Sequence, residues 1–125
     1  MILAPTVPPS RRVRALVVWL SLGIATAISV LALGPVPEGP GLPTSDKTQH
    51  MIAFAALVFP TALAMPRALL RVCALALAYG ALIEVIQPQV GRQGEVMDWL
   101  ADLAGVGLGA LAGWLAGTLL RSWRT

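Results

Sequence analysis

Long runs without a charged residue dominate this chain and restrict what it can fold into. Three runs have 23, 19 and 18 residues, and a fourth is interrupted by one charge, Glu84; they cover 15–37, 48–66, 103–120 and 72–91. A helix needs about 20 apolar residues to cross the hydrocarbon core of a bilayer. The backbone must satisfy its own hydrogen bonds there. The runs therefore predict an all-α, polytopic membrane protein with four transmembrane helices in a compact bundle.

The composition agrees with a membrane protein. Hydrophobic residues make up 57% of the 125 residues and charged residues 12%, whereas soluble domains carry about 25% charged residues. Nucleic-acid binding is not indicated, because the basic residues flank apolar runs instead of forming a patch. We predict one domain over residues 1–125, with a disordered N-terminal arm at 1–12 and spans at about 13–33, 47–65, 68–86 and 97–120.

The basic residues predict the orientation. With four crossings, seven of the nine basic residues share one side of the membrane: Arg11, Arg12, Arg14, Arg67, Arg71, Arg121 and Arg124. The positive-inside rule makes this side cytoplasmic, so both termini are expected in the cytoplasm.

The acidic residues all lie toward the opposite, extracytoplasmic half: Glu38, Asp46, Glu84, Glu95, Asp98 and Asp102. Glu84 is of special interest because an ionisable group within a span is costly and is by default a functional hypothesis. We expect any chemistry at this end.

Several polar residues share helix faces at that end. Asp46 and His50 are four residues apart, as are Asp98 and Asp102, so each pair lies on one face. Arg92 falls in the loop between the last two spans. The pattern predicts one polar site just below the outer surface, made by Asp46, Lys47, His50, Glu84, Gln87, Arg92, Asp98 and Asp102.

Structural interpretations of the same residues remain open. Asp46 suits a helix N-cap, and Asp98 suits a helix N-terminus through the dipole. Lys47 and Arg92 suit interfacial residues that extend their charges into water. His50 suits a histidine at the membrane interface that has no catalytic or binding role.

Glycines recur every four residues in the last predicted span: Gly105, Gly109, Gly113 and Gly117. Small residues at this spacing let helices approach closely in a bilayer. We expect tight packing within the chain, with a homodimer through this face as the alternative.

Three sequence segments together resemble a known family. They are Ser45–His50 (SDKTQH), Tyr79–Gln87 (YGALIEVIQ), and Gly91-Arg92 followed by Asp98–Gly105 (DWLADLAG). Their order resembles the VanZ-like family of small membrane proteins. The pattern of that family is D-K-x-x-H, then E-x-x-Q, then R followed by D-x-x-x-[ND]-x-x-G.

The resemblance extends from about residue 45 to 117. It implies a bacterial cytoplasmic membrane protein of the cell envelope, and the family's namesake is associated with low-level resistance to the glycopeptide teicoplanin. The motif positions that carry over are Asp46, Lys47, His50, Glu84, Gln87, Arg92, Asp98 and Asp102. Many relatives have asparagine where this chain has Asp102, so a further carboxylate is present here.

The leading hypothesis is a membrane-embedded hydrolase or transferase that acts on a phosphate-bearing lipid or envelope precursor. His50 is expected to serve as general acid/base or nucleophile, oriented by Asp98 or Asp102. Glu84 is expected to hold or relay a proton. The predicted catalytic residues are His50, Glu84, Asp98, Asp102 and Asp46. The predicted substrate-binding residues are Lys47, Gln87 and Arg92, with the two cations clamping the phosphate.

Three alternatives remain open. A metal variant has His50, Glu84, Asp98 and Asp102 binding Mg²⁺, Mn²⁺ or Zn²⁺; it ranks lower because no short-spaced ligand motif supports it, and no cofactor is assigned. A non-enzymatic protein would bind a lipid headgroup or envelope precursor, or dock a partner protein, and so alter antibiotic access. A proton-coupled transporter using Glu84 is disfavoured, because nothing polar continues the path into the inner half.

Overall fold

The computed structural model describes residues 7–35 and 46–124. These two ranges contain helices and no strands, and 87% of their residues are helical, which confirms the all-helical prediction. The elements are α1 (Arg11–Leu33), α2 (Asp46–Ala64), a 3₁₀ turn (Pro66–Ala68), α3 (Leu69–Ile86), a second 3₁₀ turn (Gln87–Val90) and α4 (Val96–Ser122).

The helix bounds lie within two residues of the predicted spans. The largest differences are at the start of α1 and the end of α4. Helix α1 begins at Arg11 because Ser10 caps it, with the serine hydroxyl accepting from the Val13 backbone N–H at 3.2 Å. Arg11 and Arg12 are therefore helical and not part of an N-terminal arm, which corrects the predicted limit. The first six residues of that arm lie outside the described ranges.

Three helical segments of the described chain are long and apolar enough to cross a membrane: Arg11–Leu33, Pro66–Val90 and Val96–Ser122. This confirms the prediction of a membrane protein. Helix α2 is not among them, and its first turn carries the polar residues 46–50. It is instead well enclosed by the others, with six buried residues: Phe54, Leu57, Val58, Pro60, Thr61 and Ala62.

Helices α2 and α4 run parallel and in close contact. Four glycines line the face of α4 that meets α2: Gly105, Gly109, Gly113 and Gly117. A Cβ atom on any of them would come closer than 3.0 Å to a backbone carbonyl oxygen of α2. The four carbonyls belong to Met51, Ala55, Phe59 and Leu63. The glycine repeat therefore serves packing within the chain, and the face proposed as a homodimer alternative is covered by α2.

The helix directions bring opposite kinds of residues to opposite ends. Helices α2 and α4 begin, and α1 and α3 finish, at one end, which we call the polar end. All of the acidic residues that the structure describes lie toward it: Asp46, Glu84, Glu95, Asp98 and Asp102. Seven of the eight arginines lie toward the other end, near the first residues of α1 and α3 and the last residues of α4.

The contact between α2 and α4 makes a stability prediction. We expect Gly109→Ala to lower the free energy of unfolding by about 1–3 kcal/mol, because the added methyl group meets the Ala55 carbonyl. The matched control is Gly107→Ala on the same helix, where a Cβ has no atom within 4 Å among the described residues. Thermal unfolding of both variants in detergent measures the difference. Equal melting temperatures for the two variants would contradict the packing described here.

Candidate functional site

His50 lies at the centre of the polar end. Its Nδ1 is 2.8 Å from Oδ1 of Asp102, and its Nε2 is 4.0 Å from Oδ2 of Asp98. Both aspartates stand on the first turns of α4, one turn apart, on the face that meets α2. The side chains are 15% exposed for His50, 4% for Asp98 and 1% for Asp102. The imidazole is thus held between two buried carboxylates from a neighbouring helix.

Lys47 compensates the charge of Asp98. Its Nζ donates to Oδ1 of Asp98 at 3.3 Å and to Oε2 of Glu95 at 3.2 Å. Lys47 and Glu95 are each about half exposed, whereas Asp98 is buried. A buried carboxylate needs a partner to offset its loss of hydration. The Lys47 ammonium group, at the rim of the bundle, is the partner of the Asp98 carboxylate.

Glu84 projects from α3 to the start of α4. Its Oε2 accepts a hydrogen bond from the Glu95 backbone N–H at 2.9 Å. Glu95 is the residue before the first turn of α4, so the carboxylate lies at a helix N-terminus, where the dipole favours negative charge. The second oxygen, Oε1, is buried and has no hydrogen-bond partner in the described part of the chain.

Asp102 is likewise held by one oxygen only. Its Oδ1 faces His50, and its Oδ2 is buried without a hydrogen-bond partner among the described residues. Oδ2 faces α3 at Gly80, where a Cβ atom would lie 2.8 Å from it. Gly80 thus leaves room for this carboxylate one helical turn before Glu84.

Asp46 also reaches the cluster. One ligand atom each from Asp46, His50 and Asp98 lie within 4.8 Å of one another. The same is true of His50, Glu84 and Asp102. His50 belongs to both groups, so six of the eight predicted residues come together around it: Asp46, Lys47, His50, Glu84, Asp98 and Asp102.

Gln87 and Arg92 bind elsewhere. Nε2 of Gln87 donates to the Ala32 carbonyl at 3.2 Å, and Arg92 donates through Nε to the Gly34 carbonyl at 3.2 Å and through Nη2 to the Leu31 carbonyl. These carbonyls belong to the C-terminal end of α1, whose last turn lacks intrahelical donors. A cation at a helix C-terminus is also favoured by the dipole. Both side chains therefore hold the end of α1, and the substrate-binding role of Gln87 and Arg92 stays a prediction.

Glu95 is part of the cluster, although the sequence did not single it out. It precedes α4 and lies three residues before Asp98. That spacing was a signal that both carboxylates could share one cation. Gly80 was also overlooked; it lies one turn before Glu84, on the same face of α3.

A surface groove runs beside Glu84 between α3 and the start of α4. It has a volume of about 280 Å³ and is lined by Ala81, Glu84, Gly94, Glu95, Val96 and Trp99. The Trp99 indole N–H donates to the Leu77 carbonyl at 3.0 Å, which fixes the ring against α3. The groove is open to the surface beside the Glu84 side of the cluster.

Charge and geometry together limit the chemistry of the cluster. It contains five carboxylates against one lysine and one histidine: Asp46, Glu84, Glu95, Asp98 and Asp102 against Lys47 and His50. The close His50–Asp102 pair is suited to proton transfer at the imidazole. The acidic surroundings are suited to cations and disfavour a bare anion.

Comparison with protein-family models, with curated proteins and with solved structures gave no match. The resemblance to the VanZ-like family therefore depends on the three segments quoted above and stays a prediction.

The position of Arg92 makes a prediction about its role. We expect Arg92→Gln to lower the free energy of unfolding by about 1–3 kcal/mol, because carbonyls at the end of α1 lose their donors. The control is Arg124→Gln, an exposed arginine near the other end of the bundle. Thermal unfolding in detergent measures both. An Arg92→Gln variant as stable as the Arg124→Gln variant would contradict the role of Arg92 in holding α1.

Proposed function

We propose that this chain is a VanZ-like protein of the bacterial cytoplasmic membrane, with both termini in the cytoplasm and the polar end on the extracytoplasmic side. All four helices cross the membrane in this arrangement. The separation of seven arginines from all described acids supports the orientation. The parallel packing of α2 on α4 supports the crossing of α2, because α4 is a membrane-spanning helix by length and composition.

We further propose that the polar end acts on a phosphate-bearing lipid or cell-envelope precursor, as a hydrolase or transferase. The observation that carries this proposal is the buried 2.8 Å contact between His50 Nδ1 and Asp102 Oδ1. With Asp102 ionised, Nδ1–H donates to it, and Nε2 becomes the reactive nitrogen. This is the arrangement by which a carboxylate orients a catalytic imidazole.

The neighbouring groups have separate tasks in this proposal. Asp98 lies 4.0 Å from Nε2, where it stabilises the imidazole when the ring takes up a proton. Lys47 is the cation that faces the rim and meets the phosphate. Glu84 lines the groove beside Trp99, through which a headgroup reaches the cluster while its tail stays in the lipid.

A second function is favoured by one observation. Five ionisable side chains of the cluster are joined by hydrogen bonds or ion pairs, Lys47 with Glu95 and Asp98, and His50 with Asp102. A network paired in this way also suits a structural role that fixes the helix register. The protein would then bind an envelope precursor or dock a partner protein without chemistry, with a link to glycopeptide resistance.

An activity assay distinguishes the two functions. We expect purified protein in lipid nanodiscs to release phosphate from an anionic phospholipid or a polyprenyl phosphate. His50→Gln should lower the rate by about 100-fold or more, because general acid/base groups contribute that much. The control is Gln93→Ala, an exposed residue at the same end. Normal phosphate release by a folded His50→Gln protein would refute the enzymatic proposal.

Cysteine labelling in intact bacteria tests the orientation. In a Cys73→Ser background, we expect Gln93→Cys to react with a membrane-impermeant maleimide added outside the cells. Arg124→Cys should react only after the cells are opened. Because both positions are exposed and near opposite ends of α4, labelling of both from outside would contradict the proposed crossing.

A further inference from the structure

Two buried carboxylate oxygens, on residues of the same cluster, have no hydrogen-bond partner among the described residues: Oε1 of Glu84 and Oδ2 of Asp102. The Asp102 side chain is only 1% exposed. A buried polar atom without a partner costs about 1–3 kcal/mol, and more if it is charged. Two such oxygens in one cluster indicate that a positively charged or proton-bearing partner belongs between them.

Each carboxylate is anchored through its other oxygen. Oδ1 of Asp102 is 2.8 Å from His50 Nδ1, and Oε2 of Glu84 accepts from the Glu95 backbone N–H at 2.9 Å. The unpartnered oxygens are thereby fixed in direction. Outer hydrogen bonds of this kind orient the ligands in metal sites.

The helix geometry brings the two carboxylates together. Glu84, Asp102 and His50 each bring one possible ligand atom within 4.8 Å of the others. Oδ2 of Asp102 faces α3 at Gly80, one turn before Glu84 on the same helix face. The absence of a side chain at Gly80 lets α3 lie close to Oδ2 of Asp102 and to the Phe54 ring, which a Cβ atom would meet at 2.8 and 3.2 Å.

We propose that Glu84 and Asp102 bind a divalent cation of the oxygen-preferring class, Mg²⁺ or Mn²⁺. Oε1 of Glu84 and Oδ2 of Asp102 are its protein ligands, and His50 stays on the other oxygen of Asp102. Mg²⁺ is commonly held by one or two carboxylates and completes its shell with water and substrate phosphate. A two-carboxylate site of which Glu84 lines the groove and Asp102 is buried behind it fits this pattern.

The neighbouring acidic group is less suited to the ion. Asp46, His50 and Asp98 also bring ligand atoms within 4.8 Å of one another, but Asp98 already holds the Lys47 ammonium at 3.3 Å. That ammonium compensates one carboxylate of this group and repels a second cation. On the other side of His50, no lysine or arginine of the described chain forms an ion pair with Glu84 or Asp102.

The ion would also explain how a phosphate can bind to such an acidic cluster. This step depends on the proposed function. A phosphate approaching five carboxylates needs more positive charge than Lys47 supplies, and Arg92 is bonded to the end of α1. A cation on Glu84 and Asp102 lies beside the groove by which the headgroup enters. It would bind a phosphate oxygen directly.

Manganese binding to the purified protein, without any phosphate lipid, tests the site. The protein in detergent is titrated with Mn²⁺ and the free ion is followed by electron paramagnetic resonance. We expect one ion per chain, and about tenfold or more weaker binding in Glu84→Gln and in Asp102→Asn. Glu95→Gln and Asp46→Asn are the matched controls, with the same chemical change on neighbouring carboxylates, and should bind Mn²⁺ like the unaltered protein.

Three results would overturn the cation site. The first is an unaltered protein that binds no Mn²⁺. The second is binding that survives Glu84→Gln and is lost in Asp46→Asn, which places the ion on the other side of His50. The third is an infrared carbonyl band from a protonated carboxyl group, lost in Asp102→Asn and unaffected by Mn²⁺, which shows that a proton joins the two carboxylates.

Folding and activity are checked separately. The thermal unfolding temperature of the unaltered protein should rise with Mn²⁺ but not with sodium at equal ionic strength, and this rise should be absent in Asp102→Asn. Binding of Mn²⁺ without phosphate release would refute the enzymatic function and leave the cation site intact. Phosphate release at an unchanged rate in the presence of a chelator would support the enzyme and refute the role of the ion in it.

Discussion

The close approach of α2 to α4 is the contact on which the candidate site depends. Each of the four glycines on α4 meets a carbonyl of α2 that lies 54 positions earlier in the chain: 105 with 51, 109 with 55, 113 with 59, and 117 with 63. A constant offset means that two parallel helices keep one register over three turns. The same offset, applied one turn closer to the start of both helices, places residues 47–50 beside residues 101–104. His50 and Asp102 meet because the glycines permit this distance.

The polar end shows how a membrane bundle accommodates charge. In lipid, an unpaired ionisable group is costly, and such groups pair with one another inside the bundle. Lys47 compensates Asp98, and the start of α4 compensates Glu84. His50 stands on one oxygen of Asp102. The pairing leaves one oxygen of Glu84 and one oxygen of Asp102 without a hydrogen-bond partner among the described residues. A buried oxygen of this kind is stabilised by a positively charged or proton-bearing partner.

The sequence predicted the helices well because the lengths of apolar runs, together with proline and glycine at their ends, are local signals. It also predicted that His50, Glu84, Asp98 and Asp102 would converge, since span count alone puts them at one end. The partners of Gln87 and Arg92 were not predictable in this way. The positions of both residues in the sequence suit a polar site at this end of the bundle. The carbonyl groups at the end of α1, however, accept hydrogen bonds from the same amide and guanidinium groups. Only the spatial arrangement shows that α1 finishes beside the turn that follows α3.

Helix α2 shows why a helix that carries polar side chains can have low hydropathy and still be well buried in the bundle. Its first turn holds Asp46, Lys47 and His50, and these residues exclude it from the segments that qualify as spans by composition. Yet α2 has six buried residues, whereas α1, which qualifies as a span by length and composition, has only two. A helix enclosed by its neighbours can be less hydrophobic than one that faces lipid, because protein groups solvate its polar atoms. The low hydropathy of α2 and the presence of a polar cluster on it therefore have the same cause.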